Sequence, residues 1–252
     1  SYLNGCATDN SGIIGSNVQF ITSATTTADF RINNPDNYSQ DNPMVLRPQN
    51  YAGIATNNST DGSLNGSYYN AANILDPVAN GGAIKEFSSP SVTGTTYGLA
   101  YSRKSKTVFN STVIRNYFGT LADGFDDIYT FTFADPTPAT PSTATLTQGT
   151  TIDLSTLGVA VGADPRPSAI TGGPQFIDNA TLYQKVGKIG IGDIDVSSDG
   201  DTLFVVNMNA ASPTLAIINI KTPSAPALIA DVAMPDPGCT NGVFRPWAVK
   251  YF

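Results

Sequence analysis

The chain has 252 residues, a formal net charge of −7, and only 13% Lys, Arg, Asp and Glu against 40% hydrophobic residues. The charged share is about half that of an average globular domain, so solubility rests on Ser, Thr, Asn and Gly, which suits an extracellular β-protein better than a helical enzyme. The absence of histidine excludes Ser-His-Asp and Cys-His catalysis and imidazole-based zinc sites. The 13 basic residues are scattered, which argues against nucleic acid as a partner, and no apolar run reaches the 18 residues of a membrane-spanning helix.

Residues 1–97 read as an irregular N-terminal region. "NVQFIT" (17–22) and "ADFRI" (28–32) have strand character, and "NNPDNYSQDNPM" (33–44) is turn chemistry. Residues 49–82 read as a long surface loop with a helical turn at "YNAANILD" (69–76), and "AIKEFS" (83–88) as a strand.

From residue 98 the alternation sharpens. "GLAYS" (98–102), the turn Arg103-Lys104-Ser105-Lys106, "TVFNSTVI" (107–114), "IYTFTF" (128–133) and "TATLTQGTTIDL" (143–154) predict four strands. Gly149 predicts a bulge or kink in the fourth, and "DPTPATPS" (135–142) is a Pro-rich connection. The pattern restarts with "DIDVS" (193–197), "TLFVVNM" (202–208), "TLAIINI" (214–220) and "ALIADVAM" (227–234), and again at "WAVKYF" (247–252).

Gly98-Leu99-Ala100-Tyr101, Asp193-Ile194-Asp195-Val196 and Trp247-Ala248-Val249-Lys250 each open a unit with a short apolar strand. Four-stranded units at this repeat length are the signature of a β-propeller. The expected fold is therefore all-β: antiparallel blades at 98–155 and 193–234, a third beginning at 247, and an insertion at 156–188. A propeller needs about four blades to close. Two full blades and an opening strand predict an incomplete portion of one, its remaining blades following Phe252 or a closing blade coming from residues 1–97. A β-sandwich is the alternative fold.

At "TYGLAYSRKSKTVF" (96–109), "VGKIGIGDIDVSSDGDTLFVVNMN" (186–209) and "MPDPGCTNGVFRPWAVK" (234–250), with "YSQDNP" (38–43) ahead of the first blade, the chain resembles propeller regions of large bacterial cell-surface proteins that carry repeated Ig-like modules of the Cna-B kind. The resemblance spans roughly residues 38–252. It implies secretion, surface display and a binding or scaffolding role, and it transfers no catalytic residue.

Aspartates are the candidate ligands. Asp199-Gly200 sits between two strand patterns and reads as a hairpin turn, and its spacing is not that of an EF-hand loop. Asp193 and Asp195 lie on an inner blade strand among apolar neighbours, where a shielded carboxylate needs hydrogen-bond donors or a cation. Asp123, Asp126 and Asp127 gather in "ADGFDD" (122–127), either as a solvated acidic loop or as oxygen ligands for calcium. Trp247 is either packing between blades or a platform for a sugar ring. Cys6 and Cys239 form a disulfide, remain free thiols, or pair outside the chain. Asn37, Asn57, Asn58, Asn65, Asn110 and Asn179 each open an N-x-S/T triplet and point weakly to surface loops.

The function expected from these readings is a non-enzymatic adhesive, scaffolding or structural module at the bacterial cell surface. Its partners would be a surface protein or glycan, or other segments or copies of the same surface protein. Binding is expected through the loops 49–82 and 156–188, since loops carry binding on rigid β scaffolds. Two other readings stand beside it. One is a metal-dependent propeller hydrolase or lyase, although Glu86 is the only glutamate. The other is a subunit of an extracellular assembly whose strand edges are completed by neighbouring chains.

Overall fold

The computed structural model describes residues 46–48, 67–70, 84–88, 93, 96–114, 125–134, 146–165, 184–238 and 240–251. The strands expected at 17–22 and 28–32, the turn at 33–44, the connection 135–142, Asp123, both cysteines and five of the six N-x-S/T asparagines lie outside these residues.

Among the described residues the architecture is all-β, with no helical element and three antiparallel sheets. The first holds β1 (Leu46–Pro48), β2 (Ser67–Asn70) and β3 (Ile84–Ser88) in sequence order. β3 agrees with the strand expected at 83–88. β2 places a strand at Ser67–Asn70 inside the expected loop 49–82 and takes Tyr69 and Asn70 out of the expected helical turn, whose remainder, 71–76, lies outside the described residues. Tyr68 and Tyr69 pair with Glu86 and Lys85, so two aromatics of high strand propensity join a neighbouring strand that sequence-local reasoning does not see.

The second sheet runs β4 (Thr96–Ser102), β5 (Thr107–Thr112), β6 (Asp127–Phe133), then β7 (Leu146–Gln148) and β8 (Ile152–Asp153), both paired to β6. β7 and β8 are one strand interrupted at Gly149, as the glycine predicts. The interruption is tied down by Gly149 N–H donating to the Thr130 carbonyl at 2.8 Å and the Thr130 hydroxyl donating to the Thr150 carbonyl at 2.7 Å. A Cβ at Gly149 would stand 2.7 Å from Thr130 Oγ1, so a larger residue would have to push aside the hydroxyl that bonds Thr150.

The third sheet is a simple meander of β9 (Ile191–Val196), β10 (Thr202–Asn207), β11 (Thr214–Asn219) and β12 (Ala227–Ala233). The second and third sheets match the two four-stranded units expected at 98–155 and 193–234. Their hairpin turns also follow from sequence. Gly200 takes φ +77° at the tip of the β9–β10 turn, where Gly200 N–H donates to the Ser197 carbonyl.

The two sheets stack, with β4 and β5 packing across β9. Between them lies the main core. Phe109, Ile128 and Ile152 come from one sheet, and Ile191, Ile194, Leu203, Val205, Ala216 and Ile218 from the other. The stack is aligned turn over turn. The Ser102 hydroxyl donates to the Gly200 carbonyl at 3.0 Å, and Lys104 pairs with Asp201 at 2.6 Å. The basic turn 103–106 is therefore docked on the next sheet and is not simply a solvated tip.

Burial separates the two sheets. β5 is buried at every position and β6 at all but one, whereas β11 alternates and β12 is largely exposed. A strand covered on both faces buries its whole run, and one covered on a single face alternates. Asn110 is fully buried within β5, which corrects the weak pointer of its N-x-S/T triplet to a surface loop.

The expected insertion at 156–188 is only partly a surface feature. Val159 and Val161 are buried in the main core, and the Ala160 carbonyl between them accepts from the side-chain amides of Asn207 and Asn209 at 3.1 and 2.8 Å. Gly190 N–H donates to the Val161 carbonyl. Alternation over three residues hides two valines and satisfies the carbonyl between them, a signal too short to distinguish from loop.

Candidate functional site

The sequence poses one question sharply: what satisfies Asp193 and Asp195 on β9. The pairings Val205↔Ile194 and Asn207↔Ile191 leave Gly192 and Asp193 opposite the single residue Val206. Such a bulge releases a strand residue from its ladder. The freed Asp193 N–H donates to the Trp247 carbonyl at 2.8 Å. Gly192 admits this approach, because a Cβ there would lie 2.6 Å from that oxygen.

Residues 247–251 thus run against β9. They were expected to open a third blade as a strand, but they are not part of any sheet among the described residues. Asp195 is held from both sides. Its Oδ1 accepts Val196 N–H at 2.9 Å, and its Oδ2 accepts Tyr251 N–H at 2.8 Å and lies 2.8 Å from Lys250 Nζ. Burial alone would raise its pKa, but the Lys250 ammonium and the Tyr251 and Val196 amides together lower it. Asp193 is raised by burial and, secondarily, by the Asp195 charge, against backbone hydrogen bonds from Ile194 and Val249. Backbone N–H groups and one ammonium thus satisfy Asp195, whereas the backbone donors around Asp193 do not offset its burial. Lys250 is the residue that sequence reasoning did not single out, since nothing local to "WAVKYF" announces its partner.

Trp247 is half-buried. With Val249 and Met234 it packs against Val113, Val206 and Met208, and its ring meets Tyr97 edge-on at 5.3 Å. A Cβ at Gly187, where φ is +69°, would lie 2.9 Å from its ring. Tyr251 stacks on Phe204 with ring centres 5.5 Å apart.

The second acidic group reorganises. Asp126 and Asp127 meet Asp153, each offering a carboxylate oxygen within 4.8 Å of the others. The sequence stretch 122–127 could not show Asp153, which arrives through the β6–β8 pairing of Asp127 with Asp153. These oxygens are also locally engaged. Asp153 accepts from the Ser155 hydroxyl at 2.8 Å, Thr156 N–H at 3.0 Å and the Thr156 hydroxyl at 2.6 Å, and Asp126 accepts from Ser155. Burial would raise the Asp153 pKa, but the Thr156 and Ser155 hydrogen bonds together lower it. Calcium takes six to eight oxygens, more than the three carboxylates supply, and part of their acceptor capacity is already used by Ser155 and Thr156. Asp199 and Asp201 belong to the β9–β10 turn, where Asp199 Oδ1 accepts the Ser197 hydroxyl at 2.5 Å and Asp201 N–H at 3.0 Å.

No family model, curated protein or solved structure matches the chain.

Proposed function

We propose that the chain is a portion of a β-propeller displayed on the bacterial cell surface, with a non-enzymatic adhesive or scaffolding role. The stacking of the second sheet on the opening strand of the third, with a further segment bonded to that same strand, supports the architectural part of this reading. At the opening of the second sheet, Gly98 N–H donates to the Ser111 hydroxyl at 2.9 Å, which in turn donates to the Gly192 carbonyl at 2.9 Å. At the opening of the third sheet, Asp193 N–H donates to the Trp247 carbonyl at 2.8 Å. Gly98, Asp193 and Trp247 are the first positions the sequence assigns to the three units; the first link runs through the Ser111 side chain to Gly192, one residue before Asp193, and the second runs directly to Trp247, whose segment joins no sheet among the described residues. A series of four-stranded sheets stacked in one sense, first strand to first strand, is the way propeller blades succeed one another.

The low charge and Ser/Thr/Asn-rich composition favour the extracellular setting, as does the resemblance at 96–109, 186–209 and 234–250. The engagement of Asp193, Asp195 and Asp153 in structural hydrogen bonds favours binding over catalysis. The metal-dependent hydrolase reading would need these same carboxylates free.

The test is saturable binding of the purified chain to immobilised glycans and extracellular-matrix proteins, with and without chelator. Binding that survives chelation and Asp195→Asn supports the reading. Turnover of ester, lactone or glycoside substrates that chelator abolishes overturns it in favour of the hydrolase.

A further inference from the structure

Residues 247–251 run against β9 without joining a sheet among the described residues, and carboxylates supply most of the hold. One bond is backbone to backbone, from Asp193 N–H to the Trp247 carbonyl at 2.8 Å. In return Val249 N–H donates to the Asp193 carboxylate. Two residues further along both segments, Tyr251 N–H donates to Asp195 Oδ2 at 2.8 Å, and Lys250 Nζ lies 2.8 Å from the same oxygen. A sheet ladder uses peptide carbonyls as acceptors, and those do not titrate. Here the acceptors do. The apolar contacts of the segment are also its own: Trp247 and Val249 pack on the cluster of Val113, Val206 and Met208, and Tyr251 stacks on Phe204. The core between the second and third sheets is built without residues 247–251.

We propose that residues 247–251 form an acid-released strap: protonation of Asp195 lets the segment leave β9 while the two stacked sheets stay folded, uncovering the apolar cluster of Val113, Val206 and Met208. The device needs only contacts within the chain and stands apart from the cell-surface reading. A segment with few backbone bonds and its own small apolar cluster opens at lower cost than the core it lies on. The charged groups around Asp195 are Lys250 on the strap and Asp193 on β9. Gly98 and Ser111, which approach β9 from β4 and β5, and Phe204, opposite Asp195 on β10, carry no charge. On acidification Asp193 takes up its proton first, because burial holds its carboxyl above the usual range. That step weakens the Val249 bond, removes a like charge beside Asp195 and leaves the Lys250 pair intact. Burial would also raise the Asp195 carboxyl, but the Lys250 ammonium and Tyr251 N–H of the strap, with Val196 N–H, together hold it below the usual range. Docking therefore favours the ionised form of Asp195. Its contribution is present above the ordinary value of about 3.9 and is lost as pH falls through the lowered one.

Trp247 is the single tryptophan of the 252-residue chain, so tryptophan fluorescence reports the strap. The experiment is an acid titration of the full chain, with tryptophan emission and acrylamide quenching followed beside far-UV circular dichroism. In acid the emission should move to the red and quenching should increase at a pH where the β signal is unchanged. Asp195→Asn has no carboxylate to protonate there and should lose the acid step. Asp199→Asn, which removes a carboxylate from the β9–β10 turn, should keep it. Hydrogen exchange of the unmodified chain, corrected for the intrinsic pH dependence of exchange, gives a second reading that needs no variant. The Val249 and Tyr251 amides should lose protection in acid while β10 and β11 keep theirs. Tryptophan emission that stays constant until the β signal collapses overturns the proposal. So does an acid step that Asp195→Asn leaves in place, or protection of Val249 and Tyr251 that lasts until β10 and β11 exchange.

Discussion

Lys250 reaches back to Asp195, its Nζ 2.8 Å from Oδ2, while the neighbouring Tyr251 N–H donates to the same oxygen. A segment with no sheet partners of its own is thereby fastened to the opening strand of the third sheet. The ammonium is largely exposed and the carboxylate largely buried, so the fastening draws more on the hydrogen bonds than on the exposed half of the ion pair. Lys250→Met should therefore cost less than about 1 kcal/mol. Asp195→Ala, which leaves the Tyr251 and Val196 amides without an acceptor, should cost roughly 1–3 kcal/mol. Urea denaturation of both variants checks the order.

Asp193 and Asp195 should respond to pH with opposite signs. Burial holds the folded pKa of Asp193 above its unfolded value of about 3.9. Its contribution to stability is therefore present below that value and lost as pH rises through the raised pKa. The folded pKa of Asp195 is depressed, so its contribution is present above about 3.9 and lost as pH falls through the folded value. At neutral pH Asp193→Asn should melt above the parent chain and Asp195→Asn below it. Both differences should shrink as the solution is acidified. A common direction for the two variants at neutral pH would contradict the assignment.

At Gly98 the second sheet lies close against the third. A Cβ there would stand 2.7 Å from Ser111 Oγ, 2.9 Å from Ile194 N and 3.1 Å from Asp193 Cα. Two of those atoms are backbone and cannot rotate away. Gly98→Ala should cost about 1–3 kcal/mol by overpacking, whereas Gly242→Ala, with nothing within 4 Å, should change stability by no more than about 0.5 kcal/mol. Thermal melts of the pair compare a contact with open space.

Val161→Ala tests whether the 156–165 stretch is core. Val161 is 3% exposed against Ile189 and its neighbours, so truncation should cost roughly 1–3 kcal/mol. A surface loop would show almost no change. For the same reason, deleting 156–188 as a block should unfold the protein and not merely remove a binding loop.

Calcium should move the melting temperature little, since Asp126, Asp127 and Asp153 supply fewer oxygens than the six to eight the ion takes and part of their acceptor capacity is used by Ser155 and Thr156. A ligand that binds only the folded state raises stability in proportion to ln(1 + [L]/Kd). A melt that climbs steadily with calcium and falls with chelator would show that the cluster of Asp126, Asp127 and Asp153 takes the ion.

By itself the sequence determined the elements whose signals are local. The alternation of "TLFVVNM" and "TLAIINI" became β10 and β11, the Asp199-Gly200 pair became their neighbouring turn, and Gly149 became the break between β7 and β8. Period, turn chemistry and missing side chains act within a few residues, so a one-dimensional reading reaches them. Only the tertiary structure decided what crosses between elements. It brought Asp153 to Asp126 and Asp127, Lys250 to Asp195, and Trp247 to the N–H that the β9 bulge set free. It also left one face of the third sheet open while burying β5 on both sides. Such pairings are chosen by the stacking of whole sheets, whose energy belongs to surfaces assembled from distant segments, and no local run of residues carries their trace.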